Sequence, residues 1–260
     1  MISDTRVRTL ARQDGVTAGL AEKNYVNSWI LYAVYQSSLG EKLVFKGGTA
    51  LSKLYFPEVW RFSEDLDFTA TAPISNAKST LREALDKTEA ESGIDFEITN
   101  CYTAGDPAEY IQVDIQYEAV LGQKNTTQLD LTLDESMFFP SISHTHDFEE
   151  VPEFKVQAYS VEEVLAEKLR SLYQRARARD YYDIYRLLNQ REFDEEEITA
   201  ALKTKAKQQN VQIDLENGIP AEDIKDVRQY WNQALDRLVT DKPDFDTVLN
   251  QITDYLQKLR

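Results

Sequence analysis

Two short motifs near residue 50 constrain this chain more than any other part of its sequence. The first, KGGTALS, spans residues 46–52, and the second, RFSEDLDF, spans residues 61–68. A Gly-Gly pair lets backbone amides come close to a phosphate, and carboxylates two residues apart on a strand project from the same face. Two such carboxylates, Asp65 and Asp67, can hold Mg²⁺ or Mn²⁺, which prefer oxygen ligands and bind nucleotide phosphates. The motifs together predict a site for phosphoryl or nucleotidyl transfer.

Each motif alone also has a plain structural explanation. Gly-Gly is a common turn, and Asp-x-Asp is more often a solvated strand face or a helix cap. No Gly-Lys-Ser/Thr follows the glycines, so this is not a Walker loop. Their combination favours an NTP site, with a helix over residues 50–55 directing its N-terminal amides at the triphosphate. The predicted nucleotide-binding residues of this part are Lys46, Gly47, Gly48, Thr49 and Ser63.

Composition excludes several classes of protein. The 260 residues are 42% hydrophobic and 28% charged, which is typical of a globular protein with ample core. No apolar run of 18 residues and no apolar leader are present, so we expect a cytoplasmic protein without membrane contact. The single Cys101, with only two histidines in the chain, argues against a disulfide or a zinc site.

The charge is unevenly distributed. A net charge of −16 argues against broad binding to a phosphate backbone, which depends on Lys and Arg. Residues 164–190, however, contain six cations and three anions, so this segment carries +3 and the remainder −19. Such a segment indicates either a local anion site or a solvated helix face. We take Arg175, Arg177 and Arg179 as candidates for contacting the backbone of an acceptor.

Hydrophobic periodicity predicts an α/β half followed by a helical half. Residues 21–38 have the spacing of an amphipathic helix, residues 42–45 and 65–69 of two partner strands, and residues 77–92 of a helix ended by Gly93. Residues 111–117 and 129–133 alternate as strands. Ser160 and Glu163 form a capping box, after which the pattern is helical almost to the end. We therefore predict domains at 1–155 and 156–260, the second contributing residues to the site.

A second group of candidate residues lies in the helical half. Lys168 falls on the buried stripe of a predicted helix, where its charge is costly unless it meets an anion. It either reaches a nucleotide phosphate or snorkels along the stripe. Asp183 lies 15 residues further on, so both can serve one site only if the chain turns near residues 174–179. Asp180 is placed as N-cap of the next helix, and Asp183 alternatively pairs with Arg179 or Arg186.

A third carboxylate should come from a neighbouring strand. Asp114 and Asp130 both lie on the polar side of an alternating strand. Any polar strand face has this property, so the pattern does not choose between them.

In this order, the blocks KGGTALSKLY, RFSEDLDF, VEEVLAEKLRSL and RARDYYDIYRLL resemble the AbiEii/AbiGii toxin family of bacterial nucleotidyltransferases. These proteins are the toxin halves of type IV toxin–antitoxin and phage-defence pairs. The resemblance runs from about residue 22 to residue 188. It implies an α+β fold, with a DNA polymerase β-like nucleotidyltransferase core of a small mixed sheet and helices, followed by a mainly helical C-terminal region.

The resemblance also implies roles for individual residues. The first motifs carry over to the glycine turn, Ser63, Asp65 and Asp67, and the later motifs to Lys168 and Asp183, with Asp180 alongside. The family order places the third carboxylate at Asp130, completing the metal ligands with Asp65 and Asp67. Related toxins transfer nucleotides to the acceptor end of tRNA, which implies NTP and tRNA as partners. A cognate antitoxin encoded nearby, with or without direct binding, is implied as well.

Two other functions fit the same residues. The catalytic core could modify a small molecule or a protein, and the acidic composition favours such acceptors over RNA. A protein of another class would bind nucleotide without catalysis and act as a sensor. Pyrophosphate release that depends on Asp65 would separate the enzyme from the sensor.

Overall fold

The computed structural model of the chain describes residues 1–57, 61–175, 177–239 and 241–260. Its elements in chain order are α1 (Asp4–Gln13), α2 (Ala18–Tyr35), β1 (Leu43–Lys46), α3 (Gly47–Ala50), β2 (Leu66–Ala70), α4 (Ala77–Ser92), β3 (Asp95–Ala104), β4 (Tyr110–Glu118), β5 (Lys124–Thr132), β6 (Ile142–Phe148), β7 (Val151–Ala158), α5 (Val161–Ser171), α6 (Ala178–Gln190), α7 (Glu195–Gln208), α8 (Ala221–Leu235) and α9 (Phe245–Lys258). A π-helical turn, Leu51–Tyr55, follows α3. None of the described helices has the length and apolar character needed to cross a membrane.

The chain divides into two compact units. Unit 1 comprises Met1–Asp134 and Ser141–Ala158, and unit 2 comprises Glu135–Pro140 and Tyr159–Arg260. Unit 1 contains a seven-stranded mixed sheet in the order β3-β4-β5-β2-β1-β7-β6. Strand β2 runs antiparallel to β1 and parallel to β5. Unit 1 also contains α1 to α4, of which α2 and α4 pack on each other and on the sheet.

Alternation along the central strands separates a core face from a polar face. In β4, Ile111, Val113 and Ile115 are buried, whereas the residues between them are only partly buried. In β5, Leu129 and Leu131 are buried in the same way. Successive side chains of a strand point to opposite faces, so the apolar residues form the core and the polar residues line the other face.

Several predicted elements are confirmed, and others were missed. The helix over residues 77–92 has the predicted bounds and ends at Gly93, whose φ of 72° is left-handed. Strands β1, β2, β4 and β5 match the predicted ones within a few residues. Strands β3, β6 and β7 were not predicted. The helix predicted over residues 50–55 begins earlier, at Gly47, and continues as a π-helical turn.

The character of α2 was predicted incorrectly. The sequence pattern indicated an amphipathic helix, but α2 is buried on most of its surface, including the polar residues Glu22, Asn27 and Ser28. The helix packs against α1, α4 and two strands of the sheet, so little of its surface reaches water. Buried polar side chains in such a helix need hydrogen-bond partners. One hydrogen-bond partner of Asn27, the Glu64 carbonyl, lies next to the candidate site.

Unit 2 begins with a capped helix, and only half of the predicted capping box is present. The Ser160 hydroxyl accepts a hydrogen bond from the Glu163 N–H, at 3.2 Å. The Glu163 carboxylate instead accepts hydrogen bonds from the N–H groups of Phe138 and Phe139 and pairs with the Lys205 ammonium, at 2.7 Å. Glu163 and Lys205 are fully buried, so this cluster holds segment 135–140 against α5 and α7.

Candidate active site

The two glycines of the first motif make room for two charged side chains. Gly47 has a φ of 76°, and a Cβ at this position would lie 2.6 Å from Oδ2 of Asp67. Lys46, the residue before it, is the register partner of Asp67 in the β1–β2 pair. Glycine is required here both by the left-handed backbone and by the close approach of the carboxylate. The Asp67 carboxylate therefore lies directly against the glycine turn.

Arg61 occupies the corresponding position beside the second glycine. A Cβ at Gly48 would overlap the Arg61 guanidinium, which is 4% exposed and donates a hydrogen bond to the Phe62 carbonyl, at 3.1 Å. The sequence-based predictions did not include Arg61 among the site residues. The only indication in the sequence was that Arg61 is the first residue of the second motif. Ser63, predicted to contact the triphosphate, lies two residues later and is partly buried.

Buried polar groups from three other elements position the segment that carries Asp65. The Thr49 hydroxyl donates to the Asp65 carbonyl, at 2.5 Å. The Asn27 side-chain amide and the Thr127 hydroxyl both donate to the Glu64 carbonyl, at 3.1 and 2.9 Å. Asn27 and Thr127 were not predicted as site residues, although each is a polar residue on an otherwise apolar face. The main chain before β2 is thus held to α2, α3 and β5.

Strand register distinguishes the two candidates for the third carboxylate. Asp130 is the direct partner of Asp67 in the parallel β2–β5 pair. Asp114 lies on β4 and is instead the partner of Gln128, whereas the β4 partner of Asp130 is Gln112. Its carboxylate accepts hydrogen bonds from the side-chain amides of Asn100 and Gln128, both at 3.1 Å. Side chains directly opposite each other on neighbouring strands share a face, so Asp130 is the carboxylate beside Asp67.

Asp67 and Asp130 belong to a longer line of paired residues across five strands. Lys46 pairs with Asp67, Asp67 with Asp130, Asp130 with Gln112, and Gln112 with Tyr102. We call these five residues the polar row. Neighbouring members are about 5 Å apart, the spacing of paired strands. The row contains, in order, a cation, two carboxylates, an amide and an aromatic ring.

Neighbouring polar side chains surround Asp130. It accepts a hydrogen bond from the Tyr110 hydroxyl, at 2.6 Å. Burial raises the pKa of Asp130 above its usual value, and this effect outweighs the hydrogen bonds from Tyr110 and Gln112 that lower it. Burial and the adjacent carboxylate in turn raise the pKa of Tyr110, so it stays protonated and donates. Tyr110 was not predicted as a site residue.

The oxygen donors of this region fit a hard divalent cation. Asp67 and Asp130 lie on one face of adjacent strands, and Asp65 lies two residues before Asp67. Carboxylate oxygens are the ligands that Mg²⁺ and Mn²⁺ prefer. Within the described part of the chain, no group of three or more His, Cys, Asp or Glu side chains is already arranged around a cation position. The assignment of Asp65, Asp67 and Asp130 as metal ligands stays a prediction.

In unit 2, Lys168 forms a buried ion-pair cluster with both aspartates that were predicted alongside it. Its ammonium lies 2.8 Å from Oδ1 of Asp180 and 2.8 Å from Oδ2 of Asp183. Because α5 ends at Ser171 and α6 begins at Ala178, the predicted turn between Lys168 and Asp183 is confirmed. Lys168 meets anions rather than snorkelling to solvent. Its predicted contact with a nucleotide phosphate is not tested by this geometry.

The role predicted for Asp180 as a helix cap was wrong. Helix α6 begins at Ala178 with Arg177 in the N-cap position, so Asp180 lies within the first turn. Burial would raise the pKa of Asp180, but Lys168 and Arg175 together lower it to about 2. Arg175 lies 3.0 Å from Asp180 Oδ2.

Internal ion pairs also account for much of the basic segment 164–190. Besides Lys168 and Arg175, Arg170 pairs with Glu135 at 2.7 Å. The segment is therefore not simply a solvated cationic face, because Lys168, Arg170 and Arg175 pair with carboxylates of the protein. The acceptor-binding role of Arg175, Arg177 and Arg179 remains a prediction.

Comparisons with known proteins identify the family and the fold of the chain. The family profile described as "Nucleotidyl transferase AbiEii toxin, Type IV TA system" matches residues 29–251. MenT4, a nucleotidyltransferase toxin from Mycobacterium tuberculosis H37Rv, has a TM-score of 0.71 at 20% identity, covering 100% of this chain and 91% of that chain. JHP933 from Helicobacter pylori has a TM-score of 0.57 at 17% identity, covering 94% and 93%. No curated protein sequence matches this chain significantly.

These matches confirm the predicted family and fold. At such low identities the two solved structures establish only the fold, a mixed sheet with helices that this chain shares with MenT4 and JHP933. The family profile spans most of the chain, including the glycine turn, the polar row and the Lys168 cluster. The chain therefore belongs to the AbiEii family of nucleotidyltransferase toxins of type IV toxin–antitoxin systems.

Proposed function

We propose that this nucleotidyltransferase uses Mg²⁺ or Mn²⁺ to transfer a nucleotide from an NTP to the 3′ end of tRNA. The observation that carries the proposal is the pairing of Asp67 with Asp130 beside the glycine turn. Carboxylates and a phosphate-binding turn in contact are the parts that metal-dependent nucleotidyl transfer requires.

The glycine turn is the phosphate end of the site. Lys46 and Arg61 supply positive charge on either side of Gly47 and Gly48, both from nearly buried positions. Charge fixed in a site of low dielectric stabilises the developing negative charge of departing pyrophosphate more strongly than charge in water does. Ser63 adds a hydroxyl able to donate to the triphosphate. These groups bind the β- and γ-phosphates.

The three aspartates form the reacting end. Asp65, Asp67 and Asp130 would hold the metal ion, which supplies Lewis acidity at the α-phosphate when bound. Asp130 also accepts the proton of the attacking hydroxyl and so acts as the general base. Tyr110 holds the Asp130 carboxylate in one orientation through its hydrogen bond.

Lys168 and Asp183 take part through the roles that the family resemblance gives them. Lys168 contacts a phosphate of the nucleotide, and the two carboxylates that surround it fix the position of its ammonium. Arg175, Arg177 and Arg179 contact the tRNA backbone. The reaction takes place in the cytoplasm, and a cognate antitoxin encoded nearby counteracts it.

A labelling experiment tests the proposal. The protein is incubated with Mg²⁺, each α-labelled NTP in turn and total cellular RNA, and then with cell extract. We expect label in tRNA with wild type and none with Asp67→Asn. The control is Asp114→Asn, which should keep activity because Asp114 pairs with Gln128 and not with a residue of the polar row. Label in protein or in a small molecule would replace tRNA as the acceptor. Nucleotide binding without any transfer would identify a sensor.

A further inference from the structure

The polar row extends beyond the residues that the proposed function uses. Its last two members, Gln112 and Tyr102, lie one and two strands beyond Asp130, away from Lys46. Tyr102 is 55% exposed, one of the few large side chains in the described residues that presents this much surface. A tyrosine with an exposed ring on a sheet face is a platform on which a planar group can stack.

The direction of the row identifies which reactant meets this end. The glycine turn, Lys46 and Arg61 mark the side where pyrophosphate departs. In an in-line displacement the attacking hydroxyl approaches from the opposite side of the phosphorus. Gln112 and Tyr102 lie on that opposite side, beyond Asp130. The end of the acceptor, rather than the incoming NTP, is the group that would lie over them.

The charges of this part of the sheet specify the chemistry of the bound group. Asp130 and Asp114 both place a carboxyl group on this part of the sheet, and Asp114 is held by the amides of Asn100 and Gln128. A phosphate placed here would be repelled, whereas an uncharged base would not. Amide side chains offer both a donor and an acceptor, the groups with which base edges are recognised.

We propose that Tyr102 and Gln112 form a subsite for an unpaired nucleobase at the end of an RNA acceptor. The Tyr102 ring stacks on the base, and the Gln112 amide contacts its edge. Tyr102 lies two strand spacings, about 10 Å, from Asp130, so it contacts a base within one or two nucleotides of the attacking hydroxyl. This inference rests on the proposed function for the identity of the acceptor, but binding tests it without catalysis.

The test measures binding of a fluorescein-labelled single-stranded RNA tetranucleotide, ACCA, to the full-length protein by anisotropy, with no NTP present. Loss of one base–aromatic stack corresponds to roughly a five- to hundredfold weaker affinity, which we expect for Tyr102→Ala. Tyr102→Phe keeps the ring and should stay within about twofold of wild type. Tyr230→Ala is the matched control, because Tyr230 on α8 is 52% exposed and is outside the polar row. It should bind like wild type.

A tetranucleotide with abasic positions separates base from phosphate recognition. We expect it to bind wild type as weakly as ACCA binds Tyr102→Ala. Equal affinity of wild type for both oligonucleotides, equal binding by Tyr102→Ala and wild type, or no RNA binding at all would overturn the subsite. Tyr102-dependent binding of spermidine in place of RNA would also overturn it, in favour of a cationic ligand.

Failure of the proposed function is detected separately. Pyrophosphate release with total tRNA is measured on the same wild-type preparation. If no pyrophosphate is released under any NTP, transfer to tRNA is wrong, while Tyr102-dependent binding of ACCA still establishes the subsite. If pyrophosphate is released, Tyr102→Ala should raise KM for tRNA with KM for NTP unchanged.

Discussion

Replacing Lys168 by Met should destabilise unit 2 strongly, although the two side chains have similar shape. The Lys168 side chain is 9% exposed, and those of Asp180 and Asp183 are 4% and 0% exposed. Methionine would fill the space but leave two carboxylates buried without their shared cation. Breaking a buried pair by removing one partner costs about 3–5 kcal/mol. Because Arg175 still pairs with Asp180, we expect a loss at the lower end of this range, about 3 kcal/mol in the free energy of unfolding.

Urea denaturation at pH 7, followed by circular dichroism, measures this loss. The control is Lys258→Met, the same substitution in the same unit, where the lysine side chain is 61% exposed and 3.9 Å from Glu195. An exposed pair of this kind contributes about 0–1 kcal/mol. Adding Asp183→Asn to Lys168→Met should recover part of the stability, because a neutral amide reduces the negative charge that stays buried near the methionine. A loss no larger than that of Lys258→Met would refute the reasoning.

Acid titration gives a second reading of the same cluster. The folded pKa of Asp180 is about 2, below the ordinary value of 3.8, so its contribution to stability is present above about pH 4. That contribution is lost as the pH falls through 2. In Lys168→Met the pKa of Asp180 should rise, and the difference in stability between variant and wild type should shrink as the pH is lowered from 7 to 3.

Four further outcomes are expected. Gly47→Ala should lose transfer activity and melt at a lower temperature than Gly122→Ala in thermal scans. Both glycines have positive φ, but a Cβ at Gly47 would meet the Asp67 carboxylate, whereas no described atom lies within 4 Å of a Cβ at Gly122. Burial lowers the pKa of Lys53 from 10.5 to about 7, so urea melts of wild type should show stability rising from pH 7 to 10 by a few kcal/mol more than those of Lys53→Met. Burial lowers the pKa of His146 from 6.5 to about 3, so wild type should lose stability as the pH falls through this range and His146→Phe should lose less, again by urea melts. Expression of wild type should arrest bacterial growth, measured by colony counts, and co-expression of the neighbouring antitoxin gene should restore growth. Expression of Asp67→Asn should be harmless, because the rate of transfer falls at least about a hundredfold.

Local patterns were sufficient for the motifs and for the elements with strong periodicity. The helix over residues 77–92 was bounded correctly because its apolar spacing and its final Gly93 act within the segment itself. The alternation of β4 and β5 was equally local, and so was the choice of Asp65 and Asp67 as neighbouring carboxylates. The family could be identified for the same reason, since its motifs are short runs of adjacent residues.

Side chains that meet across the fold could not be assigned in this way. The pairing of Asp130 rather than Asp114 with Asp67 depends on the register between β2 and β5, two strands about 60 residues apart in the chain. Any polar strand face offers the same pattern, and only the pairing of strands distinguishes its positions. Arg61 likewise acquires its role by lying against Gly48, a contact that no local spacing encodes.

The family, the chemistry of the motifs and many of the regular elements could therefore be predicted from the amino-acid sequence. The surroundings of the site's side chains follow instead from the fold: Lys168 meets two buried aspartates, Asp67 lies against the glycine turn, and Tyr102 ends the polar row. The physical reason is that secondary structure follows from interactions within a few residues. Which charged groups are paired at a site, and which residues belong to it, instead follow from burial and from contacts between distant segments.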